Sequence, residues 1–313
     1  MPKILFASNN AAHWSGCTIS NSNFDATKVP YAVQVNTNTT SPKFQLSTSN
    51  ETWVHFAQPN VNINTSITYQ ELFELRGPDQ NGTSRRLFLA NRNQFQAQAN
   101  FVTYDGNGAS GTYNGGTYQQ DAIFDIQLKH TPFLLEYNIY KNGTLLLNKL
   151  FGSNPLGIQG IDVCSISVTS KFSEFFVSEG DTRGGRLNML RPQIGGAYQE
   201  WAGSVLSIAD DDPLSAMTTP TAGERHSFGF GGFSGIQNIS NVVMSSYTKR
   251  GANSPTKMKH LLRRSAVDYE SSDIDIGFSN QLNVTDYSLN PATSLPWVNT
   301  EIETTEFGFK AIA

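Results

Sequence analysis

The sequence predicts an all-β protein of two packed-sheet domains, and three observations carry that expectation. Short runs of alternating apolar and polar residues recur along the chain, turn-forming dipeptides separate them, and helical periodicity is nearly absent. The composition agrees: of 313 residues, 38% are hydrophobic and only 15% charged, against about 25% charged residues in an average soluble domain. The solvent face is therefore built from Asn, Ser, Thr, Gln and Gly, residues that suit strands and turns.

The elements follow in order. Residues 52–56, 71–75, 86–90, 122–128 and 134–140 alternate with the period of two that a half-buried strand needs. Asp105-Gly106, Asn107-Gly108, Asn114-Gly115-Gly116 and Asn142-Gly143 each pair a residue tolerant of positive φ with a glycine, as a tight hairpin requires. The clearest hairpin turns at Asn142-Gly143. Pro192 then ends a strand and residues 193–197 provide a flexible step, so domains are expected at 1–192 and 193–313. Beyond that step, strands are expected at 203–208, 225–230, 241–247, 257–263, 274–278 and 306–312.

A formal net charge of −4 supplies no basic field to hold nucleic acid or anionic lipid, so neither is expected as a partner. No apolar run approaches the roughly 20 residues of a membrane span, and the opening apolar stretch is shorter than a signal-peptide core. Membrane insertion and export are not expected. Cys17 and Cys164 make neither a metal-ligand spacing nor a disulfide framework, and two free thiols are the expected state.

The motif order carries a family resemblance. Trp53-Val54-His55-Phe56 is followed by Glu71 to Arg76, Leu87 to Ala90, Phe124 to Leu128 and Leu135 to Gly143, then by Phe172 to Ser178 with Asp181-Thr182-Arg183-Gly184. Over residues 30–190 this order resembles a concanavalin-A-like (laminin-G-like) jelly roll. Leu190-Arg191-Pro192, Glu200-Trp201, Asp210 to Asp212, Thr221 to Arg225, and Trp297 ahead of Glu306 to Phe309 come next. They resemble the C-terminal module that tailed-phage virion proteins carry behind such a lectin-like domain.

Together the resemblances imply a jelly-roll sandwich followed by a second, smaller β-sandwich. They imply a non-enzymatic structural component of a tailed-phage virion, tail- or fibre-associated and assembled in the host cytoplasm. Its partners would be other virion proteins, further copies of itself (three, in a fibre) and a host-surface glycan. Capsid (head) decoration is one alternative, and a glycoside hydrolase on the lectin-like fold is another.

A hydrolase on this fold needs two carboxylates on one face, about 5 to 9.5 Å apart according to mechanism. Residues three apart on a regular strand point to opposite faces, so Glu71 and Glu74 are expected to diverge. Asp121 with Asp125, and Asp273 with Asp275, could share a face, but the Glu-x-Asp-x-x-Glu spacing typical of glucanases of this fold is missing. No catalytic residue is assigned, and no enzymatic activity is expected.

Asp210, Asp211 and Asp212 form the densest acidic cluster, which could supply oxygen ligands to Ca2+ or form a solvated turn before Pro213. No other cofactor is indicated. His13, His55, His130, His226 and His260 show no ligand spacing. The basic run 257–264 reads as a solvated strand edge guarded by lysine. Tyr104, Tyr113, Asn114 and Tyr118 lie in a Gly-rich loop, 103–120, whose composition suits sugar stacking, protein contact or plain loop packing. Trp201 and Trp297 are candidates for an interface or for the core.

Overall fold

The computed structural model describes the chain except residues 1–2, 22–23, 59–68, 94–97, 109, 118–120, 167–170, 210–213, 232–237 and 253–254. It is an all-β protein of antiparallel sheets, in two compact units, 2–189 and 190–313.

Among its described residues the first unit carries β1 (Ile4–Ser8), a 3-10 turn (Ala11–His13), β2 (Cys17–Ser20), β3 (Ala32–Val35), β4 (Thr39–Thr40), β5 (Glu51–Gln58), β6 (Tyr69–Pro78) and β7 (Ser84–Asn93). They are followed by β8 (Gln98–Tyr104), β9 (Ser110–Thr117), β10 (Ala122–Thr131), β11 (Leu134–Lys141), β12 (Thr144–Phe151), β13 (Val163–Ile166) and β14 (Lys171–Ser178). One sheet runs β12-β11-β10-β5-β14-β3-β2 with β1 paired to β14, and the other runs β4-β13-β6-β7-β8-β9. Alternation along β5 and β10 sends Val54, Phe56, Phe124, Ile126 and Leu128 inward. There Phe56 meets Phe73 at 4.7 Å and Phe124 meets Phe101 at 6.0 Å, closing an aromatic core between the sheets.

Asn142 and Gly143 take φ of 49° and 76°, the left-handed pair that a two-residue hairpin demands. Asn142 also clasps β10: its N–H donates to the Ile123 carbonyl and its Oδ1 accepts from the Ile123 N–H, both at 2.8 Å. The Gly-rich stretch 103–120 is not the expected loop. Ser110–Thr117 form β9, paired to β8 from Tyr104↔Ser110 to Gln98↔Thr117, and among the described residues of the stretch Asp105 to Gly108 make the turn.

The second unit contains β15 (Pro192–Gln199), α1 (Leu206–Ala209), β16 (Arg225–Phe230), β17 (Val242–Thr248), β18 (Lys257–Arg264), β19 (Val267–Glu270), β20 (Ile274–Asp275), β21 (Gln281–Tyr287), α2 (Asn299–Glu303) and β22 (Glu306–Ile312). Its main sheet runs β15-β16-β22-β18-β19 with β20 on β18, and β17 pairs with β21. Leu262, Trp297, Ile302 and Phe307 form its core, with Phe230, Val242, Met244 and Tyr287 packed around them. His260 ties β18 to the β17–β21 pair: Nε2 lies 2.8 Å from Ser246 Oγ and Nδ1 2.7 Å from Thr285 Oγ1.

Three expectations are corrected here. Residues 193–197 are no flexible step but part of β15, paired from Pro192↔Phe230 to Gln199↔His226. Pro192 starts that strand, a position where its missing N–H does little harm. The strand expected at 203–208 is replaced by the single helical turn α1. The basic run 257–264 lies inside the sheet, between β22 and β19, so it guards no edge. Its charges are paired, Lys257 with Asp273 at 3.5 Å, Lys259 with Glu270 at 3.0 Å and Arg263 with Asp268 at 2.7 Å.

No helix among the described residues is long and apolar enough to cross a membrane. Cys17 and Cys164 are both free, the first partly exposed and the second buried.

Candidate functional site

The residues of β5 and β10 that point away from the core build a polar and aromatic face. Strand register sets it out in rows. Ser178, Trp53, Gln127, Asn138 and Asn148 lie side by side across β14, β5, β10, β11 and β12. Flanking rows are Phe176, His55, Asp125 and Tyr140 on one side, and Glu51, Lys129, Glu136 and Leu150 on the other.

The amides and carboxylates hold one another in place. Gln127 Nε2 donates to Glu51 Oε2 at 2.7 Å, and Asn138 Nδ2 donates to Gln127 Oε1 at 2.9 Å and Glu136 Oε1 at 2.8 Å. Asn148 Nδ2 donates to Asn138 Oδ1 at 2.7 Å, and Lys129 Nζ lies 3.4 Å from Glu136. The Asn138 hydrogen bond, with the Lys129 charge and the Asn148 hydrogen bond, holds the Glu136 carboxyl below its usual range against the opposing effect of burial.

The neighbouring row contains a fully buried pair, His55 Nδ1 to Asp125 Oδ1 at 2.7 Å. Thr182 Oγ1 donates to the same Asp125 oxygen at 2.7 Å. In the neutral imidazole an accepting carboxylate at Nδ1 places the ring's one proton there and leaves Nε2 as an acceptor. The ring stacks on Phe176 at 4.4 Å. The segment 181–189 covers this side of the face: beyond the Thr182 contact, Arg183 lies 5.5 Å from the Trp53 ring centre and 4.5 Å from that of Tyr140. Over β10, β11 and β12 Tyr140 and Glu136 are half-buried and Asn148 is exposed, while Gln127 and Asn138 are buried.

A second constellation lies on β6 and β7. Two steps of β6, Glu71 to Phe73, span one step of β7, Asn91 to Ala90, which is a β-bulge. The bulge shifts the side-chain phase, and Glu71 and Glu74 converge where a regular strand would separate them. Arg86 bonds both, at 3.1 Å to Glu71 and 2.8 Å to Glu74, and Arg76 reaches Glu74 at 2.6 Å. The other carboxylate pairs considered do not converge in this way: Asp125 is buried on His55, Asp121 is exposed, and Asp273 pairs with Lys257 and Lys259.

Tyr104 ends β8, and its carbonyl accepts from Tyr137 Oη at 2.8 Å. Asn114 stands on β9 opposite Asn100, in the row that continues through Asn91 to Glu71; Tyr113 is its neighbour on the same strand. Tyr118 and the Asp210, Asp211 and Asp212 cluster lie outside the described residues, among which no group of three or more metal-ligating side chains occurs. Trp201 is half-buried, its ring 5.8 Å from that of Phe309 and tilted 32° to it, and its Nε1 donates to the Glu224 carbonyl. Trp297 is taken up by the core, 3% exposed, with Nε1 donating to the Tyr287 carbonyl.

The sequence weighs His55 only as a metal ligand and Asp125 only as a partner of Asp121, and it gives Trp53, Gln127, Asn138 and Arg183 no site role. The available signal was two polar residues at i and i+2, Asp125 and Gln127, on an apolar strand.

No protein-family model matches the chain, and no curated protein matches it. Among solved structures it is similar to the alginate lyase AlyC3, with 9% identity over 47% of this chain and 70% of that one and a TM-score of 0.32. It is similar to sheep galectin-11 in complex with glycerol, with 13% identity, coverage of 46% and 99%, and a TM-score of 0.32. It is also similar to the carbohydrate recognition domain of Emp46p in metal-free form, with 9% identity, coverage of 54% and 89%, and a TM-score of 0.34. The likeness is one of fold alone, a β-sandwich.

The expectation that the chain is no enzyme is corrected. The divergence of Glu71 and Glu74 on which that expectation leaned does not occur.

Proposed function

We propose that the 2–189 unit binds a saccharide on the sheet face over β10, β11 and β12. One observation carries this reading: Gln127, Asn138 and Asn148 lie in one row, locked by mutual hydrogen bonds, beside the aromatic rings of Trp53 and Tyr140. Planar amides and carboxylates in fixed orientations match vicinal hydroxyls, and an aromatic face matches the C–H face of a sugar ring. Because neighbours already hold these groups, little rotamer entropy is lost on binding. The test is titration calorimetry of the whole chain against a panel of oligosaccharides. Binding that weakens about tenfold or more in Asn138→Ala supports the reading; binding that ignores Asn138 ends it.

A second reading, saccharide hydrolysis, is favoured by Glu71 and Glu74 sharing one face at Arg86, because glycoside hydrolysis uses two carboxyl groups flanking the bond. Release of reducing ends that is lost in both Glu71→Gln and Glu74→Gln supports it. Release unchanged by either excludes this pair.

For the 190–313 unit, the sequence resemblance supports assembly contacts in a tailed-phage particle, on a tail, a fibre or a decorated head, with other virion proteins or further copies of the chain. Ca2+ at Asp210, Asp211 and Asp212 belongs to the same proposal. Light scattering of the purified chain, calorimetry with Ca2+ and rebinding to particles lacking the protein test these points. A monomer that binds neither ion nor particle refutes them.

A further inference from the structure

The covered side of the sheet face hides groups that its cover does not satisfy. Trp53 Nε1 and His55 Nε2 are buried and have no hydrogen-bond partner among the described residues. They lie two residues apart on one strand, on the same face, one a donor and the other an acceptor. Unpaired buried polar atoms are costly and call for an explanation. Above them Arg183 spreads one guanidinium over the rings of Trp53 and Tyr140, which lie 5.9 Å apart with their planes 18° from parallel.

We infer that Trp53, His55 and Tyr140 form a subsite for one sugar ring, and that Arg183 fills this subsite in the free protein as a displaceable plug. The inference rests on the saccharide-binding reading and extends it to the covered half of the face. A guanidinium is flat and stacks on aromatic faces, the place a pyranose would take. Hydroxyls of that ring can both accept from the indole N–H and donate to the imidazole lone pair; the plug cannot do both, since a guanidinium has no acceptor for Trp53.

What holds the plug is weak on one side and strong on the other. Arg183 pairs with Asp181, but both side chains are exposed and both sit on the moving segment, so the pair travels with it. The latch to the sheet is the Thr182 Oγ1 contact with Asp125 at 2.7 Å. Gly184, at φ +75° with open space around it, offers a pivot. Beyond it Arg186 is fixed to the buried Glu174 carboxylate. Residues 181–183 can therefore lift about an anchored end.

The experiment compares wild type, Arg183→Ala and Thr182→Val in the full chain with two readouts. Carbethoxylation of His55 by diethyl pyrocarbonate, followed by peptide mass spectrometry, reports uncovering without any ligand. Calorimetry against the oligosaccharide panel reports affinity. Both variants are expected to modify His55 faster than wild type, and bound saccharide is expected to protect it. Arg183→Ala is expected to bind about tenfold tighter, because apparent affinity scales with the fraction of molecules whose subsite is free. If Asn138-dependent binding is present and Arg183→Ala binds equally or more weakly, the plug is overturned and the binding reading stands. If His55 stays equally protected in both variants, the plug is likewise overturned. If no saccharide binds any variant, both readings fall together.

Discussion

Arg186 grips Glu174 at two points, Nε to Oε2 and Nη2 to Oε1, both at 2.6 Å, over a carboxylate with no exposed surface. Glu174 sits at φ 55° in a bulge where β14 slips against β5, so the backbone there is held in a conformation that a non-glycine residue rarely takes. Removing one partner leaves a buried, uncompensated charge. Arg186→Ala is expected to destabilise the protein by about 3 to 5 kcal/mol, and the pair replaced together by less than the sum of the single changes. Urea denaturation checks this, and an effect under about 1 kcal/mol would show that the pair is dispensable.

Stability should depend on pH through two buried histidines. Burial pushes His13 and His260 down to about 4 from their ordinary value of 6.5. The unfolded chain then binds more protons than the folded one between those values, so stability is full above about 6.5 and falls as pH drops toward 4. His260→Gln is expected to flatten that slope. Thermal midpoints between pH 7.5 and 4 test it, and identical slopes in variant and wild type would exclude His260.

Asn142 combines a left-handed backbone with a two-way clasp on Ile123. Asn142→Ala loses the Oδ1 arm of the clasp and the tolerance of that backbone while its N–H still donates to Ile123, and should cost about 1 to 3 kcal/mol; Asn142→Gly loses only the Oδ1 arm and should cost less. Equal losses in the two variants would mean that only the side-chain clasp matters.

Arg86 neutralises Glu71 and Glu74 together. In Arg86→Ala Glu71 and Glu74 lose their shared partner, with Arg76 left on Glu74 alone, and the variant is expected to be less stable by about 1 to 3 kcal/mol. Urea denaturation measures this, and unchanged stability would show that Arg86 does not hold the two carboxylates together.

Much of the fold is legible in the residues because a strand writes its period into the sequence. The alternation of 122–128 and 134–140 and the Asn142-Gly143 turn correspond to β10, β11 and their hairpin onward to β12. Gly195 and Gly196 mislead for a physical reason: they resemble a hinge, yet a Cβ at Gly196 would strike the Glu306 carboxylate and Ser227 Oγ, so glycine is there for close packing within a paired strand. The convergence of Glu71 and Glu74 is invisible because a bulge leaves no mark on apolar periodicity. His55 and Asp125 meet only through the register of β5 with β10, across 70 positions of sequence.

The place of β22 in its sheet has a consequence for how the protein is made. This strand, residues 306–312, lies between β16 and β18, and β1 likewise finds its partner only in β14. On the ribosome, β16 and β18 emerge with bare hydrogen-bonding edges and wait for a strand not yet synthesised. Such distant pairings close slowly and leave nascent chains open to mispairing. Slowing translation after residue 264 would therefore prolong the interval in which neighbouring nascent chains can pair with one another.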